Sequence, residues 1–182
     1  RLGYLSGKYY GLKTFLELED TTAINDDTDY SVPAPADQKV PGKSIIADPE
    51  GTEINRFWFG YDIEDHTSMK IGRQRIILDN ARFIGNVGWR QNEQTYDALS
   101  INSSYISDTD INYAYLSKRN TIFYTGIETD SHLFNVSYSG IKNNKITGYA
   151  YILDFDKNKN NSSDTFGISS VGSYNLDDYT LG

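Results

Sequence analysis

The stretch NRFWFGYDI, residues 55–63, decides the fold class because its side chains alternate in character along the chain. Successive side chains of a β-strand point to opposite faces of the sheet. The stretch therefore predicts a strand with one apolar face and one polar or small face. The apolar set is Phe57, Phe59, Tyr61 and Ile63, and the opposite set is Arg56, Trp58, Gly60 and Asp62.

Residues 146–155, ITGYAYILDF, repeat this alternation, with Ile152 as an exception on the small or polar face. A tyrosine-rich apolar face against a small or polar face is typical of a membrane wall with lipid outside and water inside. We therefore expect the apolar set of this strand to face lipid. That set is Tyr149, Tyr151, Leu153 and Phe155, against Gly148, Ala150 and Asp154.

Short and long connections alternate between the predicted strands, which is the plan of an up-and-down antiparallel meander. The short connections are 7–10, 63–67, 104–109, 141–145 and 175–179, and the long ones are 20–52, 79–94, 118–130 and 156–164. The predicted strands are 2–6, 11–19, 53–62, 68–78, 95–103, 110–117, 131–140, 146–155 and 165–174, with a further strand near Thr180.

A half-buried soluble sheet also alternates, but most of these strands are about nine or ten residues long, against about five or six in soluble proteins. The length suits a tilted membrane crossing. We predict an all-β protein: an antiparallel up-and-down transmembrane β-barrel, of which this chain supplies about nine strands of a larger barrel. Residues 1–182 are expected to belong to one outer-membrane domain.

Composition excludes several classes of function. The chain has 182 residues, a net charge of -8 and no cysteine, which excludes disulfides and thiolate metal sites and argues against nucleic acid as a partner. His66 and His132 are far apart and lack metal-ligand spacing. No phosphate-binding loop and no nucleophile–base motif is present, so we expect no enzyme, no cofactor and no metal site.

Three regions of the sequence resemble the alginate-export family of bacterial outer-membrane proteins. They are ADPEGTEINR (47–56), GRQRIILDNARFIGNVGWRQNEQTYDA (72–98), and DSHLFNVSY with ITGYAYILDFD (130–138 and 146–156). The second is the most specific. The resemblance implies a large porin-type barrel in the bacterial outer membrane. The chain lacks the signal peptide and closing strands of that family, so we expect it to be an internal part of a longer protein.

Five arginines gather between residues 56 and 90 of this acidic chain: Arg56, Arg73, Arg75, Arg82 and Arg90. We expect the long connection after the second of two adjacent strands to fold back into the pore and narrow it. Arginine rings select anions, and guanidinium groups bind carboxylates at two points. The sequence therefore predicts passive passage of anionic solutes or acidic, alginate-like saccharides through an arginine-lined lumen. Lipid and lipopolysaccharide are the expected surroundings.

Alternatives remain open at this point. The arginines could only brace the barrel by pairing with Asp62, Asp79, Glu93 or Asp97. The chain could also form a small structural or adhesive barrel, or a soluble carbohydrate-binding β-domain. Strict alternation places Arg73 and Arg75 on the lipid face. We therefore expect either a bulge at Gly72 that reverses the register, which we prefer, or a position at the rim where the cost is small.

Two polar segments are weaker candidates for cation binding. The loop 20–52 is rich in acids and could hold divalent cations that bridge lipopolysaccharide, or be a solvated loop. Asp154, Asp156, Asn158 and Asn160 stand at alternate positions, like ligands of a calcium loop, but lack its glycine and closing glutamate.

Overall fold

A computed structural model describes residues 1–24, 30–36, 38–155, 159–176 and 179–181. Nine antiparallel strands form one sheet in chain order, each hydrogen-bonded to the next, and the sheet is open because β1 and β9 do not pair. The strands are β1 Leu2–Leu5, β2 Leu12–Thr21, β3 Gly51–Ile63, β4 Thr67–Gln74, β5 Thr95–Ser103, β6 Thr109–Asn120, β7 Gly126–Ile141, β8 Asn144–Leu153 and β9 Ser163–Gly172. The predicted up-and-down meander is confirmed.

Two further strands lie outside this sheet. The predicted strand near Thr180 is present as β11, Tyr179–Leu181, which pairs with β10, Tyr174–Leu176. These two strands form a separate ladder rather than extending the large sheet. Within the described residues, no helix is long and apolar enough to cross a bilayer.

The two faces of the large sheet differ in chemistry. The outer face, as we call it, exposes large apolar side chains on seven strands, among them Leu16, Phe59, Ile71, Phe134 and Ile168. The inner face carries mostly polar, small and buried side chains, including Gln74, Ser100, Asn135 and Thr147. Cross-strand partners share a face, so the register Leu16↔Phe57↔Arg73 and Tyr113↔Phe134↔Ala150 fixes these assignments. Alternation in residues 55–63 is confirmed.

The orientation expected for residues 146–155 is wrong. Phe134 on the outer face pairs with Ala150, so Tyr149 and Tyr151 point to the inner face, where Tyr151 is buried. The outer face of β8 instead presents Gly148 and Ala150 between large neighbours on β7 and β9. Small residues on β8 leave room for the large ones, such as Phe166, which pairs with Ala150. Tyrosine is amphipathic, so its alternation alone does not identify the lipid side.

The prediction of a long loop at residues 118–130 is also wrong. Strands β6 and β7 extend past their predicted ends, and their ladder runs to Asn120↔Gly126. Only residues 121–125 remain as a turn, closed by a hydrogen bond from Thr121 N to Thr125 O of 2.8 Å. A register shift between Leu116 and Lys118 accommodates the extension. The side chains of residues 109–116 keep their regular alternation between the two faces.

The segment between β4 and β5, residues 75–94, covers the inner face, and we call it the inward loop. Its side chains Ile76 and Ile84 are 8% and 3% exposed and join a core with Leu116, Leu133 and Tyr151. Burying one such side chain is worth about 1.5–3 kcal/mol. The expected folding of this long connection back over the polar side of the sheet is therefore observed.

Candidate functional site

The base of the inward loop is fixed by Glu93, whose side chain is 1% exposed. Its two carboxylate oxygens accept hydrogen bonds from Arg75 Nε at 2.6 Å and Nη2 at 2.7 Å. Asn86 and Asn55 donate to the same carboxylate at 2.7 and 2.8 Å. Two-point guanidinium–carboxylate pairs are among the strong hydrogen-bonded contacts in proteins. Through Arg75 and Asn55, Glu93 joins the two ends of the loop to each other and to β3.

A second pair lies beside the first. A register shift at Glu17 on β2 turns both Asn55 and Arg56 toward the inner face. Arg56 then binds Glu17 through Nε at 2.9 Å and Nη2 at 2.7 Å, with its guanidinium 4.6 Å from the Phe15 ring centroid. A bulge that places two consecutive side chains on one side makes this arrangement possible.

These residues form a group that we call the carboxylate cluster. Arg1 completes it by binding Glu19 at 2.8 Å. The cluster contains three arginines and three glutamates, and their formal charges cancel. Its members are Arg1, Arg56, Arg75, Glu17, Glu19 and Glu93.

The pKa of Glu93 reflects this environment. Burial favours the neutral acid and by itself raises the pKa. Hydrogen bonds from Arg75, Asn86 and Asn55 favour the carboxylate more strongly and hold the pKa of Glu93 below its ordinary value. The hydrogen bonds to Glu93 also raise the pKa of Arg75. Both side chains are therefore charged over the whole physiological range.

The expectation of a bulge at Gly72 is wrong. The β3–β4 and β4–β5 ladders run through Gly72 without a register shift, and Arg73 stays on the outer face opposite Phe57 and Asp97. Arg73 Nε donates to Asp97 at 2.8 Å near the end of β4, close to the rim. Gly72 has a φ of 119°, and a Cβ there would collide with the carbonyl oxygen of Phe57. The glycine thus permits a close backbone approach, not a reversal of faces.

Arg90 occupies the far limb of the inward loop. Its guanidinium lies 4.1 Å from the Trp89 ring centroid, and Nη1 is 3.4 Å from the Asp48 carboxylate. The Asp48 carboxylate also accepts a hydrogen bond from Gln91 N at 3.1 Å. This contact joins the inward loop to the end of the acidic loop before β3.

Arg82 is at the tip of the inward loop and differs from the other four arginines. It is exposed and forms no ion pair with any residue that the structure describes. Its guanidinium carbon lies 5.9 Å from the ring centroid of Phe83, and its backbone nitrogen donates to Asn80 Oδ1. The structure thus separates the five predicted arginines into four with carboxylate partners and one without.

Three inner-face cations were not among the predicted site residues. Within the described part of the chain Lys70, Arg119 and Lys145 form no ion pair. Lys70 lies over the Trp58 ring at 5.0 Å, and Arg119 lies over Phe155 at 4.9 Å. The alternation of side chains along each strand could have identified them, because each lies on the same face as residues that are directed inward. The search for a cluster of arginines along the sequence passed over them because they lie on three separate strands, β4, β6 and β8.

Two cavities lie along the inner face beside the inward loop. The larger, about 640 Å³, is polar and lies toward the short connections, bordered by His66, Ser104 and Asp110. The second, about 390 Å³, lies between the loop tip and β8–β9. Leu78, Asp79 and Lys145 border both cavities, so the two are neighbours along one side of the loop.

The described residues give no support for the two candidate cation sites, in the loop 20–52 and at residues 154–160. No group of three or more metal-ligating side chains occurs among the described residues. Asp156 and Asn158 of the calcium-like spacing, and Asp26, Asp27, Asp29 and Asp37 of the acidic loop, lie outside the described residues. The described acids of that loop have internal partners, Asp48 with Arg90 and Glu50 with Ala23 N.

A protein-family model described as alginate export matches residues 7–178, almost the whole chain. No curated protein and no solved structure matches it.

Proposed function

The chain belongs to the alginate-export family, and from this premise we propose that it forms part of the wall of an outer-membrane channel. The channel passes anionic solutes or acidic, alginate-like saccharides by passive diffusion. It is a transport protein and not an enzyme, and it needs no cofactor. The nine-stranded up-and-down sheet and the family together fit barrel transport in the bacterial outer membrane.

The observation that supports this proposal is the distribution of charge around the inward loop. The loop lies over the polar face, as a constriction inside a barrel would, while the opposite face exposes apolar side chains to a lipid-like surrounding. Basic side chains that have no carboxylate partner among the described residues line the same inner side. They are Lys70, Arg82, Arg119 and Lys145. Fixed positive charges in a narrow aqueous path favour anions.

The five predicted arginines have different parts in this proposal. Arg82 meets the solute directly because its guanidinium is exposed and unpaired within the described residues. Arg75 holds the loop in place through Glu93. Arg56 supports this contact from β3, with its Nε 3.8 Å from the Glu93 carboxylate, and pairs more closely with Glu17 on β2. Arg73 and Arg90 act at the rim, where their charges attract anions despite their carboxylate partners.

The surroundings follow from the two faces. We propose that the outer face contacts lipid and that the long connections face lipopolysaccharide. The free edges of β1 and β9 are where other strands of a single barrel domain would pair, since an exposed sheet edge invites pairing.

The direct test is the reversal potential of the complete protein in a planar bilayer under a gradient of potassium chloride. We expect anion preference, and we expect Arg82→Gln to lower the anion-to-cation permeability ratio about twofold to fivefold, since a unit charge a few ångströms away is worth about 1 kcal/mol in water. Unit conductance should be nearly unchanged because Arg82 forms no ion pair with any described residue and the loop is held by other side chains.

Lys118→Gln is the matched control. It removes one positive charge from the outer face, where Lys118 pairs with Glu128 at 3.0 Å, and should change the ratio much less than Arg82→Gln does. Absence of conductance from folded protein would contradict the channel and favour a structural barrel. Equal effects of the two substitutions would contradict a special role for Arg82.

A further inference from the structure

The smaller cavity, between the loop tip and strands β8–β9, has the composition of a binding groove rather than of a plain water path. Its wall combines aromatic rings, hydroxyl groups and two basic side chains. We call it the aromatic groove. Its defining residues are Arg82, Phe83, Lys145, Thr147, Tyr149 and Ser169.

Three rings form one side of the groove. Tyr149 and Tyr151 are stacked, with centroids 5.0 Å apart and an interplanar angle of 17°. Phe83 leans over them at 5.7 Å from Tyr149 and 6.2 Å from Tyr151. Phe83 is 52% exposed although it lies beside the core of the loop. An aromatic ring held there against a wall of tyrosines offers an apolar surface to whatever enters the groove.

The orientation of Tyr149 has a specific cause on the next strand. Gly167 on β9 is the direct partner of Tyr149, and a Cβ at Gly167 would collide with the Tyr149 hydroxyl oxygen. The tyrosine ring therefore lies across its neighbour instead of standing up from the sheet. The ring forms part of the groove wall at this place, and the accessible surface of an aromatic ring is one against which the C–H face of a sugar stacks.

The charges in the groove are arranged so that the basic groups remain available. Arg82 and Lys145 form no ion pair among the described residues. Asp79 is the acid of the groove, but its Oδ2 accepts hydrogen bonds from Asn135 at 2.8 Å and Tyr151 at 3.3 Å, beneath the rings. That carboxylate is thus engaged with the sheet, and the open part of the groove presents two positive charges to one occupied negative charge.

We propose that the aromatic groove is a retention site for one acidic pyranose unit, a hexuronate, within a passing chain. The C–H face of the sugar stacks on Phe83 and Tyr149, its carboxylate pairs with Arg82 or Lys145, and its hydroxyls bind Thr147 and Ser169. This inference rests on the proposed function and adds to it a named site. The flow of solute is then not uniform, because each uronate pauses at this place before moving on.

The chemistry favours this occupant over simpler ones. A small inorganic anion would use the two cations but gains nothing from three aromatic rings. A neutral sugar would use the rings but not Arg82 and Lys145. A hexuronate uses both, because it joins an apolar ring face to a carboxylate that a guanidinium can bind at two points.

The test is transient blockage of single-channel current by a short oligouronate, compared with a neutral oligosaccharide of the same length. With the unaltered protein, only the oligouronate should give resolved blockages. Phe83→Leu keeps an apolar side chain but removes the ring, and should shorten the mean blockage about threefold to tenfold, equivalent to about 0.7–1.4 kcal/mol.

Three companion variants sharpen the result. Gly167→Ala should shorten blockages like Phe83→Leu, because it displaces the Tyr149 ring without altering any charge. Lys145→Gln should shorten them and weaken their dependence on salt concentration. Phe57→Leu is the control, since it removes a ring from the outer face, and should leave blockages unchanged.

Titration calorimetry of oligouronate binding to the detergent-solubilised protein distinguishes a failure of the retention site from a failure of the channel. Anion-selective conductance without oligouronate blockage or binding would overturn the retention site and leave the channel. Blockages that are equal for neutral and acidic chains, or unaffected by Phe83→Leu and Gly167→Ala, would also overturn it. Oligouronate binding without any conductance would overturn the channel and not the site.

Discussion

The base and the tip of the inward loop have opposite relations to charge. At the base, Arg75 is held by two hydrogen bonds to Glu93 within a cluster whose formal charges cancel. At the tip, Arg82 has no carboxylate partner among the described residues. The comparison teaches that an arginine near a constriction is not by itself a selectivity residue. A paired guanidinium fixes the backbone, and an unpaired one is available to a solute.

The largest expected effect is at the base. Glu93→Gln removes a charge that is 1% exposed and places a donating amide among the groups that donate to it, Arg75, Asn55 and Asn86. We expect the free energy of opening the loop to fall by about 3–5 kcal/mol. Hydrogen exchange of residues 75–94 measures it. The control is Glu128→Gln on the outer face, which should cost under about 1 kcal/mol because that pair is exposed. Similar effects of both changes would break the contrast between base and tip.

The next effect concerns the apolar attachment of the loop. Ile84→Ala should destabilise the loop by about 2–4 kcal/mol, because Ile84 is 3% exposed within the core beneath it. Ile77→Ala in the same loop, where the side chain is 48% exposed, should change the stability by about 0.5 kcal/mol or less. Hydrogen exchange again gives both values, and equal losses would show that the loop is not held by this core.

Low pH should weaken the attachment of the inward loop at its two ends and should not affect the loop tip. The folded pKa of Glu93 is lowered, so its stabilising contribution is complete above the unfolded value of about 4.5 and is lost as pH falls through the folded pKa. Loop exchange and current noise should therefore rise below about pH 4.5. The change should be smaller than in Glu93→Gln at neutral pH, because the protonated acid can still hydrogen-bond. The Glu93→Gln protein should lack this component, and its persistence there would assign it to another acid.

The smallest structural effect is expected at the far limb. Arg90 Nη1 lies 3.4 Å from the carboxylate of Asp48 in a partly buried pair, and its guanidinium stacks on the exposed Trp89 ring. Arg90→Gln should destabilise the loop by about 0.5–1 kcal/mol, the usual range for such a pair. Arg90→Lys should retain most of the charge effect on anion preference but lose the stacking. A loss comparable to that of Glu93→Gln would place Arg90 with the base residues.

The sheet and its inward loop were predictable because their signals are local. Alternation in residues 55–63 and the spacing of the turns identify long antiparallel strands without knowledge of the partners. The length of the connection after β4 also predicted its return over the polar face. These features depend on period and length, which a single sequence contains.

The errors came from features that depend on neighbouring strands. Tyr149 and Tyr151 face inward because Ala150 pairs with Phe134, a fact of register that lies in another part of the chain. Gly72 lies close to Phe57 across the ladder, which resembles a bulge when only β4 is considered. The partners of the arginines likewise depend on which carboxylates the fold brings near. Lys70, Arg119 and Lys145 escaped notice for the same reason.

The inward loop leaves the sheet after Gln74 and returns at Thr95, on two strands that are hydrogen-bonded neighbours. Its charged anchoring groups, Arg75 and Glu93, lie near its two ends, whereas Arg82 and Phe83 lie midway between them, just before the buried Ile84. The tip can therefore be exchanged as a cassette while the ends are retained. A library randomised only around residues 80–83 would search for new solute preferences on an unchanged scaffold, and natural divergence could use the same freedom.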